Sequence, residues 1–287
     1  MVPIRSRVVR ARYPPAMLVS AVIVGDEILS GHVQDANSHL ISTRVASHGH
    51  RMHRVVVVAD DPDQIAVEIR RDLDGPASLI VVCGGLGPTH DDRTMEGVAA
   101  ALGRALAPCG PIAARIEEIV ERVGGMGVSG DRFGAEGLRK MALAPVGAEA
   151  LQTSMGIMPA CAVTDERADI VILPGPPREM QTVFLEAVEP RWLEGTGERV
   201  WREEITHPFV ESVVAAMLGD VQDRYPSTSI GSYPQADHVL IRVAGPEDEA
   251  REAAASIREH LDGLRDSDEG RRMLAYLERR RAERARE

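Results

Sequence analysis

The chain has 287 residues, and its 33 Lys and Arg stand against 44 Asp and Glu, so its formal net charge is −11 at neutral pH. Nucleic acids and anionic membranes repel such a chain before contact forms, which argues against both classes of partner. Three Phe, two Trp and four Tyr supply few rings on which bases could stack, which disfavours a single-strand binder. The hydrophobic content of 44% is sufficient for a globular core, and the length suits one or two domains.

The cysteine and lysine counts exclude further classes. Cys83, Cys109 and Cys161 are odd in number and widely spaced, so they predict neither a disulfide framework nor a metal knuckle, and they indicate a reducing cytoplasm. Lys140 is the one lysine, so no P-loop of the form GxxxxGK[ST] exists. No apolar stretch reaches the roughly 18 residues of a membrane span.

Strands and helices alternate in the first part of the predicted structure. Residues 1–15 predict a disordered basic tail, and a glycine-rich mobile loop is predicted at 124–130. Strands are predicted at 17–24, 54–59, 79–83 and 170–173, and helices at 37–48, 62–73, 92–102, 111–123 and 178–188. Continuous apolar strands are typical of a parallel sheet that is covered on both faces. Residues 16–188 therefore predict a three-layer α/β sandwich with a mostly parallel sheet.

The pattern changes after this domain. A strand at 200–206, a helix at 210–222, strands at 228–233 and 238–243 and a helix at 247–261 follow in the order βαββα. This order predicts a small α+β domain at 189–263. Residues 264–287 carry many charges and predict a charged helix or tail.

Polar residues follow the first predicted strand. Gly25, Asp26 and Glu27 come directly after it, and Asp35 and Asn37 stand at the start of the next helix. In an open parallel sheet, ligands bind outside the carboxyl ends of the strands, so these side chains are candidates for a site. The alternative is a turn in which Asp35 or Asn37 caps the helix.

A second polar segment runs from Cys83 to Thr94 with the sequence Cys-Gly-Gly-Leu-Gly-Pro-Thr-His-Asp-Asp-Arg-Thr. Its glycines would let backbone N–H groups approach a phosphate, while the start of the following helix supplies partial positive charge. It is not a dinucleotide fingerprint, because His90 occupies the last glycine position of GxGxxG. For Asp91, Asp92 and Thr94, helix capping and first-turn charge are the alternative. On the phosphate hypothesis, Gly85→Val abolishes ligand binding without unfolding the domain.

Five acids accompany these two segments, and carboxylates that share a site with phosphates need a hard divalent cation. They are Asp26, Glu27, Asp35, Asp91 and Asp92. Such a cation could polarise a phosphoryl oxygen and activate water, the chemistry of phosphoanhydride hydrolysis. The segment 173–180, Leu-Pro-Gly-Pro-Pro-Arg-Glu-Met, predicts a stiff strand-to-helix turn that forms a wall of the site.

These three segments, with Gly231-Ser232-Tyr233-Pro234, resemble the competence/damage-inducible protein A (CinA) N-terminal family over residues 17–262. The resemblance implies a molybdopterin-binding-like domain, the fold of enzymes of molybdenum-cofactor assembly, followed by a small KH-like domain. It also implies metal-dependent hydrolysis of ADP-ribose-type pyrophosphates and a homodimer. The C-terminal amidase domain of full-length relatives has no counterpart in this sequence, so deamidase activity is not expected.

The leading hypothesis is a metal-dependent hydrolase of a nucleotide pyrophosphate such as ADP-ribose. The predicted catalytic residues are Asp26, Glu27, Asp91 and Asp92, with the general base unassigned. The predicted ligand-binding residues are Gly25, Asn37, Gly84, Gly85, Gly87, Thr89, Thr94, Pro174 and Gly175. The predicted ligands of a divalent metal are Asp35, Asp91 and Asp92.

The alternative is a non-catalytic protein that binds molybdopterin or a nucleotide in the same loops. Ala36, Met141 and the segment 156–160, a loop in the family, depart from the family pattern and remove hydroxyl and amide groups that a nucleotide could use. The altered loop at 156–160 favours this alternative. Nucleic-acid binding by the KH-like domain is disfavoured, because residues 186–263 are strongly acidic and lack a GxxG loop.

Overall fold

Six strands form the central sheet in the computed structural model, which describes residues 16–125, 135–154, 156–197 and 200–284. The strands of the first unit are β1 (Leu18–Val24), β2 (Arg51–Val58), β3 (Leu79–Cys83), β4 (Leu106–Pro108), β5 (Leu143–Pro145), β6 (Glu149–Thr153), β7 (Gly156–Thr164) and β8 (Asp169–Leu173). The sheet order is β2-β1-β3-β8-β7-β6, in which the first four strands are parallel and β7 and β6 are antiparallel. The mostly parallel sheet is confirmed.

Helices cover both faces of this sheet. They are α1 (Asp26–Leu29), α2 (Asn37–Ser47), α3 (Pro62–Leu73), α4 (Thr94–Leu102), α5 (Gly110–Gly125), α6 (Ala135–Lys140) and α7 (Pro177–Val183), which continues as a π-helical segment at Phe184–Leu193. Neighbouring strand residues point to opposite faces, so Val22 packs with Ile65 of α3, whereas Ile23 packs with Ile41 of α2 and with Phe184. One apolar cluster lies on each face of the sheet, between the sheet and the helices that cover it. The first unit therefore has the three predicted layers.

The sequence pattern does not predict β6 and β7. Gly156 and Pro159 both lie in β7, and glycine and proline are depleted in strands. The proline is tolerated because it falls at an irregularity of the pairing between Ile157 and Cys161, where a ladder hydrogen bond is not required. The segment 156–160, which the resemblance places in a loop, therefore belongs to a strand.

The helix predicted at 178–188 extends to Leu193 in the structure. Pro190 lies inside it and has no N–H to donate, and the helix has wider π-type turns around that residue. The chain divides into the compact units Met1–Glu198 and Arg199–Glu287. Gly124 and Gly125 belong to α5. The rest of the predicted loop at 124–130 and the predicted tail lie outside the described residues.

The second unit has the predicted βαββα order. Its elements are β9 (Trp201–His207), α8 (Glu211–Arg224), β10 (Ser229–Pro234), β11 (Val239–Gly245), α9 (Glu247–Asp266) and α10 (Asp268–Arg284). The three strands form an antiparallel sheet in the order β10-β11-β9. Phe209, Ile241 and Ile257 are fully buried in its core. Across both units, no helix of the described residues is long and apolar enough to cross a bilayer.

His207, at the end of β9, is buried in the second unit. Its ring lies 6.2 Å from that of Phe209, centroid to centroid, and neither ring nitrogen has a hydrogen-bond partner among the described residues. Burial lowers the pKa of His207 below its ordinary value of 6.5, and the charge of His238 lowers it further. The folded unit therefore holds a neutral imidazole.

We expect the second unit to lose stability as the pH falls below 6.5. The unfolded chain takes up a proton on His207 near that pH, whereas the folded chain takes it up only at lower pH, so the free energy of unfolding decreases by up to about 1.4 kcal/mol per pH unit between the two pKa values. Hydrogen exchange of the β9 and β11 amides in the full chain, corrected for intrinsic rates, measures this loss.

The matched variants are His207→Phe and His260→Gln. Phenylalanine fills the apolar site without a titrating group, so it should remove the pH dependence, whereas the exposed His260 should leave it unchanged. A His207→Phe chain with the full pH dependence of the wild type would show that another group is responsible.

Candidate functional site

A cavity of about 580 Å³ lies at the carboxyl edge of the parallel strands, where the sequence predicts the site. Glu27 follows β1, Asp60 follows β2, Gly85 follows β3 and Pro174 follows β8, and all four line it. The carboxyl ends of parallel strands meet at one edge, so residues far apart in sequence converge here. The predicted site residues in the cavity wall are Glu27, Asp35, Asn37, Gly84, Gly85, Gly87, Asp91, Asp92, Pro174 and Gly175.

Four predicted site residues are not part of this wall. They are Gly25, Asp26, Thr89 and Thr94. The Gly25 N–H donates to the Val58 carbonyl oxygen at 3.1 Å. Thr94 is fully buried, and its hydroxyl donates to the Gly84 carbonyl oxygen at 2.8 Å. Gly25 and Thr94 thus hold the surrounding loops in place, and their contact with a ligand stays a prediction.

Gly84 and Gly85 have positive φ angles, 108° and 64°, which residues with a side chain rarely adopt. A Cβ on Gly84 would lie 2.1 Å from the Val24 carbonyl oxygen, and one on Gly85 would lie 2.3 Å from Thr94 Oγ1. Close packing of the loop itself therefore requires both glycines, and the approach of a phosphate is not their main reason. The expectation that Gly85→Val leaves the fold intact is corrected accordingly, because valine would displace the loop.

Within the described part of the chain, three consecutive backbone N–H groups of this loop have no acceptor. They are those of Gly85, Leu86 and Gly87. By contrast, the Gly84 N–H donates to the Leu173 carbonyl oxygen at 3.1 Å, and the Thr89 N–H donates to Asp92 Oδ2 at 2.9 Å. Consecutive unpaired N–H groups are suited to an anion. Of the residues predicted to bind phosphate through the backbone, those at 85–87 have N–H groups that are free to do so.

Asp60 joins the site from the turn after β2, and its Oδ2 accepts the Asp26 N–H at 2.9 Å. Burial raises the pKa of Asp60 above its ordinary value, and the charges of Asp26, Glu27 and Asp91 raise it further against the lowering effect of that hydrogen bond. A carboxylate with a raised pKa in a cavity is a candidate for proton transfer.

Asp91 and Asp92 are tied to Thr89. The Thr89 hydroxyl lies within hydrogen-bond distance of both carboxylates. This hydrogen bond lowers the pKa of Asp91, and the neighbouring His90 and Lys140 lower it further. The two carboxylates therefore shape the turn as well as lining the cavity. They do not cap α4, which has no side-chain cap hydrogen bond.

Asp35 and Asn37 have different tasks. Asp35 precedes the N-cap residue of α2, and its Oδ1 accepts the first-turn N–H groups of Asn37 and Ser38 at 3.0 Å each. The Asn37 amide donates to the Gly175 carbonyl oxygen at 2.9 Å and to Cys83 Sγ at 3.2 Å. Asn37 Oδ1 is buried without a partner among the described residues. It is an acceptor in the cavity wall that a ligand N–H or O–H could satisfy.

The cavity wall is strongly acidic. Its carboxylates belong to Glu27, Asp35, Asp60, Asp91, Asp92 and Glu179, and its described residues include no Lys, Arg or His. No three His, Cys, Asp or Glu side chains converge as a metal site within the described residues. The predicted site of Asp35, Asp91 and Asp92 is thus not preformed, and the donor set instead fits a cation bound through one or two carboxylates together with ligand phosphates.

Residues 20–194 match the family described as a probable molybdopterin binding domain. The chain belongs to this family. Residues 199–264 match the middle domain of FAD synthase. The two matches correspond to the two compact units of the structure.

Within the molybdopterin-binding-domain family, this chain is CinA-like. It is 33% identical to a CinA-like protein of Deinococcus deserti over 85% of this chain and 60% of that protein. It is 37% identical to a protein of Pyrococcus horikoshii over 73% of this chain and 81% of that protein. A crystal structure of CinA from Thermoplasma acidophilum matches it with a TM-score of 0.51 and 31% identity, over 59% of this chain and 95% of that chain. These similarities confirm the predicted resemblance.

Sequence reasoning missed several residues of this CinA-like cavity. Asp60 stands directly before Asp61-Pro62, a typical helix start. The segment therefore indicates the beginning of a helix, and Asp60 is not predicted as a site residue after β2. Ile116 and Ile119 of α5 form part of an apolar wall, beside Met141, which the sequence identifies only as a departure from the family pattern. The order of parallel strands, once known, identifies Asp60, because a residue after β2 must reach the same sheet edge.

Proposed function

We propose that the cavity of this CinA-like chain binds an organic phosphate, the pyrophosphate of a nucleotide or a pterin phosphate. The unpaired N–H groups at residues 85–87, in the wall of a cavity of nucleotide size, carry this proposal. The apolar side chains of Ile116, Ile119 and Met141 offer a surface for a ring system. Asn37 Oδ1 offers an acceptor for a donor group on that ring or on a sugar.

Hydrolysis of a nucleotide pyrophosphate such as ADP-ribose is the activity that this site supports best. A divalent cation that enters with the phosphates would offset the negative charge and polarise a phosphoryl oxygen. Asp91 and Asp92, on the same loop as the N–H groups, are the carboxylates proposed to hold it. Asp60 is the proposed general base, because its raised pKa suits it to accept a proton from water.

A second candidate function is non-catalytic binding of molybdopterin or a nucleotide. Asp35, Asp91 and Asp92 accept hydrogen bonds from neighbouring residues of their own turns, which supports this function. The described residues also contain no preformed metal site. The cytoplasmic location is inferred from three unpaired, buried cysteines, and a homodimer is inferred from the family resemblance.

Ligand binding and metal dependence test these candidates on the full chain. With Mg²⁺ or Mn²⁺ present, we expect ADP-ribose to be hydrolysed by one water to AMP and ribose 5-phosphate, and a chelator to stop this reaction. Ligand at about 100 times its Kd should stabilise the fold by about 2.7 kcal/mol, which thermal unfolding measures.

The outcomes separate the two functions. Tight binding of nucleotides or pterin phosphates without turnover under any divalent metal would favour the non-catalytic function. A chain that binds none of these compounds, and whose melting temperature none of them changes, would contradict both functions.

A further inference from the structure

Lys140 is the one lysine of a chain that uses arginine at its other basic positions. It ends α6, and its Nζ donates to the Thr89 carbonyl oxygen at 2.6 Å. Thr89 is the residue whose hydroxyl engages Asp91 and Asp92. The single lysine ammonium of the chain thus lies against the loop that carries the proposed phosphate cradle.

No carboxylate of the described residues forms a close ion pair with this ammonium, although its charge helps to lower the pKa of Asp91. Within the described residues, no Asp or Glu oxygen lies within 4.0 Å of Lys140 Nζ, whereas the neighbouring Arg139 is paired with Glu117 at 2.9 Å. An ammonium has three N–H donors, and the Thr89 carbonyl accepts only one of them. Two donors remain for an anion.

The position of Lys140 relative to the cradle is given by a small second cavity of about 40 Å³. Lys140 lines this cavity but not the larger one. The residues that line both cavities are Gly85, Leu86, Gly87, Asp92 and Met141. The ammonium therefore lies beside the loop that carries the three unpaired N–H groups, in a cavity whose lining also includes Asp92 and Glu96.

We propose that Lys140 binds the phosphate that the N–H groups of residues 85–87 hold, and that it supplies the positive charge that the wall of the main cavity lacks. This inference rests on the proposed function. A lysine is suited to this task because its ammonium is a compact point charge on a flexible stem. The ligand class is an organic pyrophosphate or a phosphate monoester.

The single lysine makes a direct test possible in the full wild-type chain. An amine-reactive ester acylates only Lys140 and the terminal amine, so the terminal amine is an internal control for reagent activity. We expect inorganic pyrophosphate at ten times its Kd to slow acylation of Lys140 about tenfold and to leave the terminal amine unchanged, as peptide mass spectrometry measures. Sulfate at the same ionic strength should protect neither amine.

A pair of variants tests the same contact by affinity. Lys140→Gln should weaken binding of pyrophosphate and of ADP-ribose about tenfold, the loss of one hydrogen bond to a charged group. Arg139→Gln removes the same charge from the neighbouring position, and it should change affinity by less than about twofold because its guanidinium pairs with Glu117 at the surface.

Each result decides between the inference and its alternatives. If the wild type binds pyrophosphate and Lys140 is not protected, the contact is absent and the proposed function stands without it. Equal weakening by both variants would reduce the effect to net charge and would overturn the inference. If the wild type binds neither pyrophosphate nor ADP-ribose, the proposed function fails and the inference fails with it.

Discussion

Replacing Gly84 by alanine is expected to destabilise the first unit by about 4 kcal/mol. The backbone at this residue has a φ of 108°, a conformation whose strain costs roughly 1–3 kcal/mol for a residue with a side chain. The new Cβ would also lie 2.1 Å from the Val24 carbonyl oxygen in β1, an overpacked contact that costs roughly 1–3 kcal/mol more. Denaturant unfolding of the full chain measures this loss as a lower denaturant concentration at the midpoint of the transition in which the first unit unfolds.

Gly31→Ala is the matched control. Gly31 has a φ of 75°, and nothing lies within 4 Å of the position where its Cβ would be, so alanine there adds backbone strain without a clash. Its expected cost is about 1–2 kcal/mol. Equal losses for the two variants would show that β1 moves away from the loop at little cost, and the packing argument for Gly84 would then be wrong.

Asp60→Asn is expected to lower kcat for pyrophosphate hydrolysis at least 100-fold, about the contribution of a general base. The amide oxygen of asparagine can still accept the Asp26 N–H, so the turn should survive and ligand affinity should stay near that of the wild type. The raised pKa of Asp60 also predicts how activity depends on pH. Wild-type activity should fall as the pH drops through a value above the ordinary aspartate pKa of about 3.9, because the base must be deprotonated.

Asp61→Asn gives the control at the adjacent carboxylate. Asp61 caps α3 through its hydrogen bond to the Asp63 N–H at 2.9 Å, and asparagine caps a helix about as well as aspartate. Hydrolysis should therefore stay within about twofold of the wild type. If both variants retain full activity, Asp60 is not the base, and another carboxylate of the wall must perform that role.

The fold could be predicted from the sequence wherever local signals agree. The helix at Pro62–Leu73 is predicted at its observed bounds because Asp61 caps it, Pro62 occupies its first turn and its apolar residues recur at helical spacing. The strand at Leu79–Cys83 is predicted equally well, because five consecutive apolar residues fit a strand that is buried on both faces.

The same approach fails where tertiary structure overrides local preference. Pro159 and Gly156 oppose a strand, and β7 forms because its remaining residues pair with both β6 and β8. At the site, the sequence indicates the correct loops but not the task of each residue. A glycine can serve an anion cradle or allow two backbone segments to pack closely, and the sequence does not distinguish these roles. For Gly84, the position of the Val24 carbonyl oxygen shows that close backbone packing requires the glycine.

The thiol of Cys83 lies at the cavity wall and donates to the Pro174 carbonyl oxygen at 3.2 Å. Burial raises the pKa of Cys83 to about 12, against the lowering effect of the hydrogen bond from Asn37. At neutral pH the Cys83 thiol therefore stays protonated, whereas the thiolate is the form that oxidants and alkylating reagents attack. Cys161 is similarly buried, with a pKa of about 12. Peroxides and alkylating reagents should therefore modify Cys83 and Cys161 slowly in the folded chain.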